Sequence, residues 1–332
     1  MSVPASGHAK CSKCEKPAYV RVPYAKLNLC REHFVEYFEN RVLKSIEHYK
    51  MLKGVRRLLV AVSGGKDSLS LAHLLAKHRE RLGVELYVFH IDLGMGAYSE
   101  ASRAAVEELC RRHGLKCIVL SLRELLGYGL PELVKLSKRP ACSLCGMLKR
   151  YFVNLVSVEL GADAAALGHH MDDILVFALK NFLTQGGAGF LKLSPVARGV
   201  PGVMATRLKP LYEAYESDIY HYAVAEGVRF VEIECPFKYA DPIKRAVREM
   251  LDKLEGEIPG FKVSLARRLA GRAPVEEGEV RPCKYCGMAS SSGVCAFCRL
   301  TSRVFGKPMG PEVRARVRSV VEALATASRQ AS

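Results

Sequence analysis

Apolar residues Phe34, Phe38, Val42, Ile46 and Tyr49 recur three or four positions apart, so "REHFVEYFENRVLKSIEHYKMLKG" reads as one long amphipathic helix. From residue 56 the pattern changes. "RRLLVAV" is an unbroken apolar run of strand length, and "DSLSLAHLLAKHRE" returns to the helical period. The strand "VELYVFHI", the helix "SEASRAAVEELCRRHG" and the strand "KCIVLS" follow. Next come a helix starting near Ser143, the strand "AAALGH" and the helix "DDILVFALKNFLTQ". Strands alternating with helices predict an α/β fold with a parallel sheet covered on both faces.

Beyond the alternating region, "GGAGFLKLSPVARGVPG" (186–202) is rich in Gly and Pro and reads as a mobile loop or the rim of a site. "YESDIYHYAVAEG" and "PIKRAVREMLDKLEGEIPGF" read as helices, and "FVEIEC" as a strand ending at Cys235 beside Pro236. "GRAPVEEGEVRP" (271–282) reads as a linker, and "GPEVRARVRSVVEALATAS" as a closing basic helix. Three parts are expected: a cysteine-bearing head with its linker helix (1–54), the α/β body (55–270), and a second cysteine module with the basic helix (271–332).

The 332 residues, 49% hydrophobic and 25% charged, are those of an ordinary globular protein with an ample core. No run approaches the ~18 apolar residues of a membrane span. The segment before Cys11 has no apolar leader, so a cytoplasmic, non-membrane protein is expected. The formal charge of +16 points to a polyanionic partner, nucleic acid foremost. In a reducing compartment the twelve cysteines are better read as metal ligands or reactive thiols than as disulfides.

Two sets have the spacing of zinc ligands. Cys11-x-x-Cys14 is followed after fifteen residues by Cys30-x-x-His33, and Cys283-x-x-Cys286 after eight by Cys295-x-x-Cys298. Each offers four ligands in two knuckles, which suits a closed tetrahedral Zn²⁺ site. Gly287 supplies the backbone freedom that the knuckle turn after Cys286 needs.

At the junction of the first body strand and its helix stands Ser63-Gly64-Gly65-Lys66-Asp67-Ser68. Consecutive glycines and a helix start expose backbone amides to an anion, so a phosphate is expected there. Neither the Walker A nor the G-x-G-x-x-G spacing is present. The loop resembles the PP-loop of the ATP pyrophosphatase superfamily, which implies cleavage of ATP between its α- and β-phosphates and adenylation of a substrate oxygen. On that resemblance Ala61, Ser63, Gly64, Gly65, Lys66, Asp67 and Ser68 belong to the ATP site, with Ile91 in "HIDLG" beside the adenine. "GHHMDD" resembles the family's G-H-x-x-D-D segment, which implies Gly168 near the nucleotide and Asp172 and Asp173 binding Mg²⁺ or orienting the reacting groups. From the residues alone, His169, His170, Asp172 and Asp173 also read as a helix cap with ordinary surface side chains.

Seven zinc-ligand cysteines leave Cys110, Cys117, Cys142, Cys145 and Cys235. Cys110 and Cys117 fall on apolar elements and read as core residues. Cys142 and Cys145 open a helix, whose dipole favours thiolate. A PP-loop with a central Cys-x-x-Cys and one later cysteine resembles the TtuA, TtcA and wobble-uridine thiolase families, and cysteine modules at both ends resemble the TtuA group. That resemblance implies that Cys142, Cys145 and Cys235 hold a [4Fe–4S] cluster with one iron free of protein ligands. It places Lys149, one turn beyond Cys145, within reach of ATP or substrate. It implies adenylation of the uridine C2 oxygen and its replacement by sulfur, catalysed by Cys142, Cys145, Cys235, Lys149 and Asp173, at T-loop 5-methyluridine 54 of tRNA, with wobble uridine 34 as alternative. It also implies a homodimer, and a ubiquitin-like thiocarboxylate carrier or sulfide as donor. A metal-free persulfide pair and a structural zinc remain open for the three cysteines. So do a PP-loop ligase or amidotransferase with purely structural cysteines, and an idle tRNA-binding scaffold.

Overall fold

The computed structural model describes residues 2–5, 9–185, 193–271 and 280–330. The head is a three-stranded antiparallel sheet of β1 (Val3–Pro4), β2 (Val20–Val22) and β3 (Leu27–Leu29), followed by α1 (Arg31–His48). The body runs through β4 (Arg57–Ala61), α2 (Lys66–Lys77), the single turn α3 (Arg79–Leu82), β5 (Glu85–Asp92), α4 (Ala97–His113) and β6 (Lys116–Ser121). It continues with α5 (Leu122–Leu126), α6 (Leu130–Ser137), α7 (Ala141–Leu160), β7 (Ala164–Leu167), α8 (Met171–Gln185), β8 (Val196–Ala197) and β9 (Thr206–Leu208). Then follow α9 (Glu216–Glu226), α10 (Pro242–Glu257) and α11 (Phe261–Ala270). The tail holds β10 (Arg281–Pro282), β11 (Ala289–Ser290), α12 (Ala296–Phe305) and α13 (Gly310–Gln330).

The central sheet has the order β6-β5-β4-β7-β9-β8. All of its neighbouring pairs are parallel except β8 with β9. The period of two along a strand divides the core: Leu58 and Val60 face the layer of α1, α2 and α9, whereas Leu59 faces that of α7, α12 and α13. Each cysteine module extends one layer. Cys11 and Cys30 join the first core, and Cys283, Cys286, Cys295 and Cys298 the second. The second module is seated by Phe297, whose ring stacks on Tyr151 of α7 at 3.9 Å between centroids. Burial of a ring of that size contributes about 2 kcal/mol or more.

The structure departs from the sequence reading in four places. Part of the loop expected at 186–202 is the edge strand β8, turned back onto β9 through Gly202 at φ 71°; residues 186–192 lie outside the described ones. "FVEIEC" is irregular, because no sheet edge is offered to it. α5, α6 and α11 are short helices that the pattern did not separate. Cys110 and Cys117 lie in and against the first core as expected, but they are also joined as a disulfide with Cα atoms 6.3 Å apart, because Gly114 at φ 58° turns the chain directly from α4 into β6. The linker expected at 271–282 lies mostly outside the described residues.

Candidate active site and metal centres

In chain order β5 and β6 extend the sheet to one side of β4, and β7 to the other, so the crevice between β4 and β7 is the switch point where α/β sheets bind ligands. Both conspicuous loops emerge there. After β4 the chain passes Ser63, Gly64 and Gly65 into the N-terminus of α2. Gly64 has φ 87°, and a Cβ on it would lie 2.7 Å from Ser102 Cα, so no other residue fits. The Ser63 N–H donates to Ser68 Oγ at 3.0 Å, and Ser68 Oγ donates to the Gly65 carbonyl at 3.1 Å, which fixes the loop. A Cβ on Gly168 would meet Ser68 Cα at 2.8 Å, so the start of "GHHMDD" lies directly on the start of α2. Ala61 ends β4, and the buried Ile91 stands one residue before the end of the neighbouring β5 at the same rim.

A closed set of charges surrounds this loop. Lys66 Nζ lies 2.8 Å from both Asp67 and Glu216, Glu216 also takes Arg248, and Arg248 reaches Asp173 at 3.2 Å. His170 Nε2 completes the ring, 3.3 Å from Asp173. Burial works against the Glu216 carboxylate, yet Lys66 and Arg248 hold its pKa down at about 2. Burial likewise works against the Lys66 ammonium, and its carboxylate neighbours more than compensate. The two aspartates of "GHHMDD" do not act as a pair. Asp172 is buried against Lys262 at 2.5 Å and accepts the Glu216 N–H at 2.8 Å, whereas Asp173 is half exposed and lines a cavity of about 870 Å³. Asp172 is sealed in the interior with its cation, whereas Asp173, paired with Arg248 at the cavity wall, is the one that a ligand can reach.

Cys142 and Cys145 lie in the first turn of α7, and Cys235 in the irregular segment before α10. Cys142 is exposed, with its S–H toward the Phe237 carbonyl at 3.4 Å. Burial raises the Cys145 thiol pKa while the Lys149 ammonium opposes the rise, so burial outweighs the thiolate expected from a helix start. The charges of Cys142 and Cys235 both act on Cys145, which places the three in one neighbourhood.

Among the described residues, two groups of three or more His, Cys, Asp or Glu have ligand atoms all within 4.8 Å of one another: Cys11, Cys14, Cys30 with His33, and Cys283, Cys286, Cys295 with Cys298. His33 Nδ1 lies 3.4 Å from Cys11 Sγ and 3.3 Å from Cys30 Sγ, and Cys14 Sγ lies 3.8 Å from Cys30 Sγ. Cys286 and Cys295 are 3.7 Å apart. A tetrahedron with ~2.3 Å metal–sulfur bonds has edges of about 3.8 Å, so both sets fit one ion each. Cys142, Cys145 and Cys235 are not such a group, and a polynuclear centre suits their wider spacing and three-thiol donor set better than a single ion.

Residues 35–238 match the PP-loop domain family, and residues 10–35 match the family described as "2-thiouridine synthetase TtuA, N-terminal LIM domain". The chain belongs to the TtuA family of PP-loop proteins. It is 38% identical over 87% of its length to a protein of Pyrococcus horikoshii named tRNA-5-methyluridine(54) 2-sulfurtransferase, covering 93% of that relative. A relative of the same name in Thermus thermophilus is 37% identical over 89% of the chain and 92% of its own length. Among solved structures, the U34-tRNA thiolase NcsA from Methanococcus maripaludis, described with its [4Fe–4S] cluster, superposes with a TM-score of 0.72 at 28% identity over 89% of this chain and 95% of that one.

For this TtuA-family chain, the sequence reading missed the residues that hold the motifs in place. Glu216 opens α9, Arg248 lies on an amphipathic helix and Lys262 on a short one, and none has a local signature. Only the three-dimensional approach of α9, α10 and α11 to α2 and α8 makes them part of the site. No helix of the described residues is long and apolar enough to cross a membrane.

Proposed function

We propose that the chain is an ATP-dependent tRNA-uridine 2-sulfurtransferase, acting on T-loop 5-methyluridine 54. The observation that carries this reading is one cavity whose wall includes Asp173 and Arg248, which Glu216 ties to Lys66 of the PP-loop, and also Arg150 and Lys238, which neighbour Cys145 and Cys235. Neighbours of the nucleotide loop and neighbours of the thiols therefore meet at one cavity. The names of the more similar relatives favour uridine 54 over the uridine 34 of the structural neighbour.

ATP lies along the switch-point crevice, its adenine between Ala61, Ile91 and Gly168. The amides of Ser63, Gly64 and Gly65 with Lys66, Asp67 and Ser68 hold its phosphates at the α2 N-terminus. Mg²⁺ accompanies the triphosphate, within reach of Asp173. The uracil C2 oxygen attacks the α-phosphorus, pyrophosphate leaves, and Asp173 orients the reacting oxygen. Cys142, Cys145 and Cys235 would hold a [4Fe–4S] cluster, which would supply a site that carries sulfide for the transfer. Attack of sulfur on C2 then expels AMP, with Lys149 offsetting the negative charge that develops. Zn²⁺ at each cysteine tetrad stabilises the modules at 1–54 and 271–332 that flank the catalytic part at 55–270. A thiocarboxylate-tailed carrier protein or free sulfide donates the sulfur, the chain acts as a homodimer, and the setting is cytoplasmic.

The test is anaerobic protein reconstituted with iron and sulfide, incubated with ATP, sulfide and unmodified or 5-methylated tRNA, followed by position-resolved nucleoside mass analysis. Thiolation at position 54 is expected. Product at position 34 alone would reassign the substrate, and none with ATP bound and cluster intact would overturn the reading.

A further inference from the structure

The cavity that borders Asp173 is far larger than a uracil ring, and its charge is lopsided. Six Lys or Arg side chains line its 870 Å³ against two carboxylates. Each carboxylate already has a cation beside it. Asp173 holds Arg248, and Asp241 caps α10 through the Ile243 and Lys244 N–H groups while pairing with Lys180. At one end Arg150 and Lys209 stand with Arg207 close by, and among the described residues none of the three has a carboxylate at ion-pair distance. Arg207 Nε is buried without a hydrogen-bond partner, and Lys209 Nζ has only the Ser194 carbonyl. Burial, with Arg207 adding like-charge repulsion, pulls the pKa of Lys209 down to about 8, and the same two causes lower that of Arg150. An anion brought to this cluster relieves repulsion that the protein alone leaves uncompensated. Tyr239 and Phe177 also line the cavity and are 73% and 46% exposed, unusually open for aromatic side chains.

On the thiolase reading, we propose that this cavity seats the reacting RNA nucleotide, its base against Tyr239 and Phe177 beside Asp173 and its flanking phosphate on Arg150 and Lys209. Stacking is indifferent to base identity and phosphate contacts to sequence, so the seat holds a base turned out of its stack while the chemistry selects the reacting oxygen. Its shape and charge favour a single-stranded RNA segment over a peptide tail, whose lone carboxylate would leave most of the cations unpaired.

The test uses full-length protein and tRNA labelled for anisotropy, with ATP affinity measured in parallel as the control for folding and for the neighbouring phosphate site. Tyr239→Ala is expected to weaken tRNA binding about five- to hundred-fold, with Tyr239→Phe close to the parent. Lys209→Met and Arg150→Gln are each expected to weaken it several-fold and to lower the slope of log Kd against log salt by about 0.7–1, the signature of one lost phosphate contact. Unchanged tRNA affinity and salt slope in all three loss variants would overturn the seat. So would a loss of ATP affinity with tRNA affinity retained, or a loss of turnover confined to a thiocarboxylate-tailed protein donor and absent with sulfide. If the parent thiolates no tRNA at all, the functional reading fails; if it does and the variants match it, only the seat fails.

Discussion

Glu216 stands between Lys66, the cation assigned to the phosphates, and Arg248. Its carboxylate holds Lys66 Nζ at 2.8 Å and also Arg248, with the Lys66 and Glu216 side chains 21% and 36% exposed. A pair this accessible is worth about 1 kcal/mol. When a phosphate takes Lys66 that pair is given up, so ATP binds more weakly than the loop geometry alone allows. In Glu216→Gln the competing charge is gone, while the backbone N–H of residue 216 still donates to Asp172. ATP affinity is therefore expected to rise about five-fold, the equivalent of ~1 kcal/mol. Folding stability is expected to fall by about the same ~1 kcal/mol, because Lys66 and Arg248 lose their shared partner. Calorimetric titration with a non-hydrolysable ATP analogue reads the first effect, and urea unfolding the second. Weaker or unchanged nucleotide binding in a normally folded variant would refute the competition, since general damage cannot tighten a site.

Lys262→Met leaves Asp172 buried without its cation and is expected to cost about 3–5 kcal/mol in urea unfolding; the double variant with Asp172→Asn should recover much of that, and equal losses would contradict the pairing. Cys286→Ser is expected to bind one zinc per chain where the parent binds two, and to destabilise the docking of Phe297 on Tyr151; elemental analysis and a retained count of two would decide against the site. Burial and the neighbouring His73 hold the His113 imidazole at about 4, below its ordinary 6.5. Between those values the unfolded chain takes a proton that the folded one refuses, so stability falls as pH drops from about 6.5 toward 4; a His113→Asn variant should flatten that limb of the stability–pH curve.

Legibility in the sequence followed the range of the interaction. The PP-loop was readable because its function resides in backbone amides of consecutive residues, and the structure places Ser63–Ser68 at a strand–helix junction as the pattern demands. The two cysteine tetrads were readable because a knuckle is a local turn. The order of the strands from β4 to β7 and of the long helices between them followed from period, since β4, β5 and β7 are buried on both faces, whereas the short α5 and α6 gave no separate signal. The pairing of Asp172 with Lys262, 90 residues apart, had no such signal, and it divides two adjacent aspartates into one buried structural group and one available to a ligand. Cys110 and Cys117 looked like separate core residues because a seven-residue separation does not reveal that Gly114 folds α4 back onto β6.

The sequence by itself determined the alternating α/β body, the anion-binding loop, the two metal tetrads and the three cysteines left over from them. These are properties of neighbouring residues, set by hydrophobic period, glycine freedom and ligand spacing. Only the tertiary structure decided that Glu216 and Arg248 tie Lys66 to Asp173, and that Arg150, Arg207 and Lys209 gather with no carboxylate of the described residues at ion-pair distance, beside the cavity that Asp173 lines. Those arrangements depend on charges from different helices meeting across a low-dielectric crevice, where a displacement of a few ångströms decides whether a cation is paired or left for a ligand.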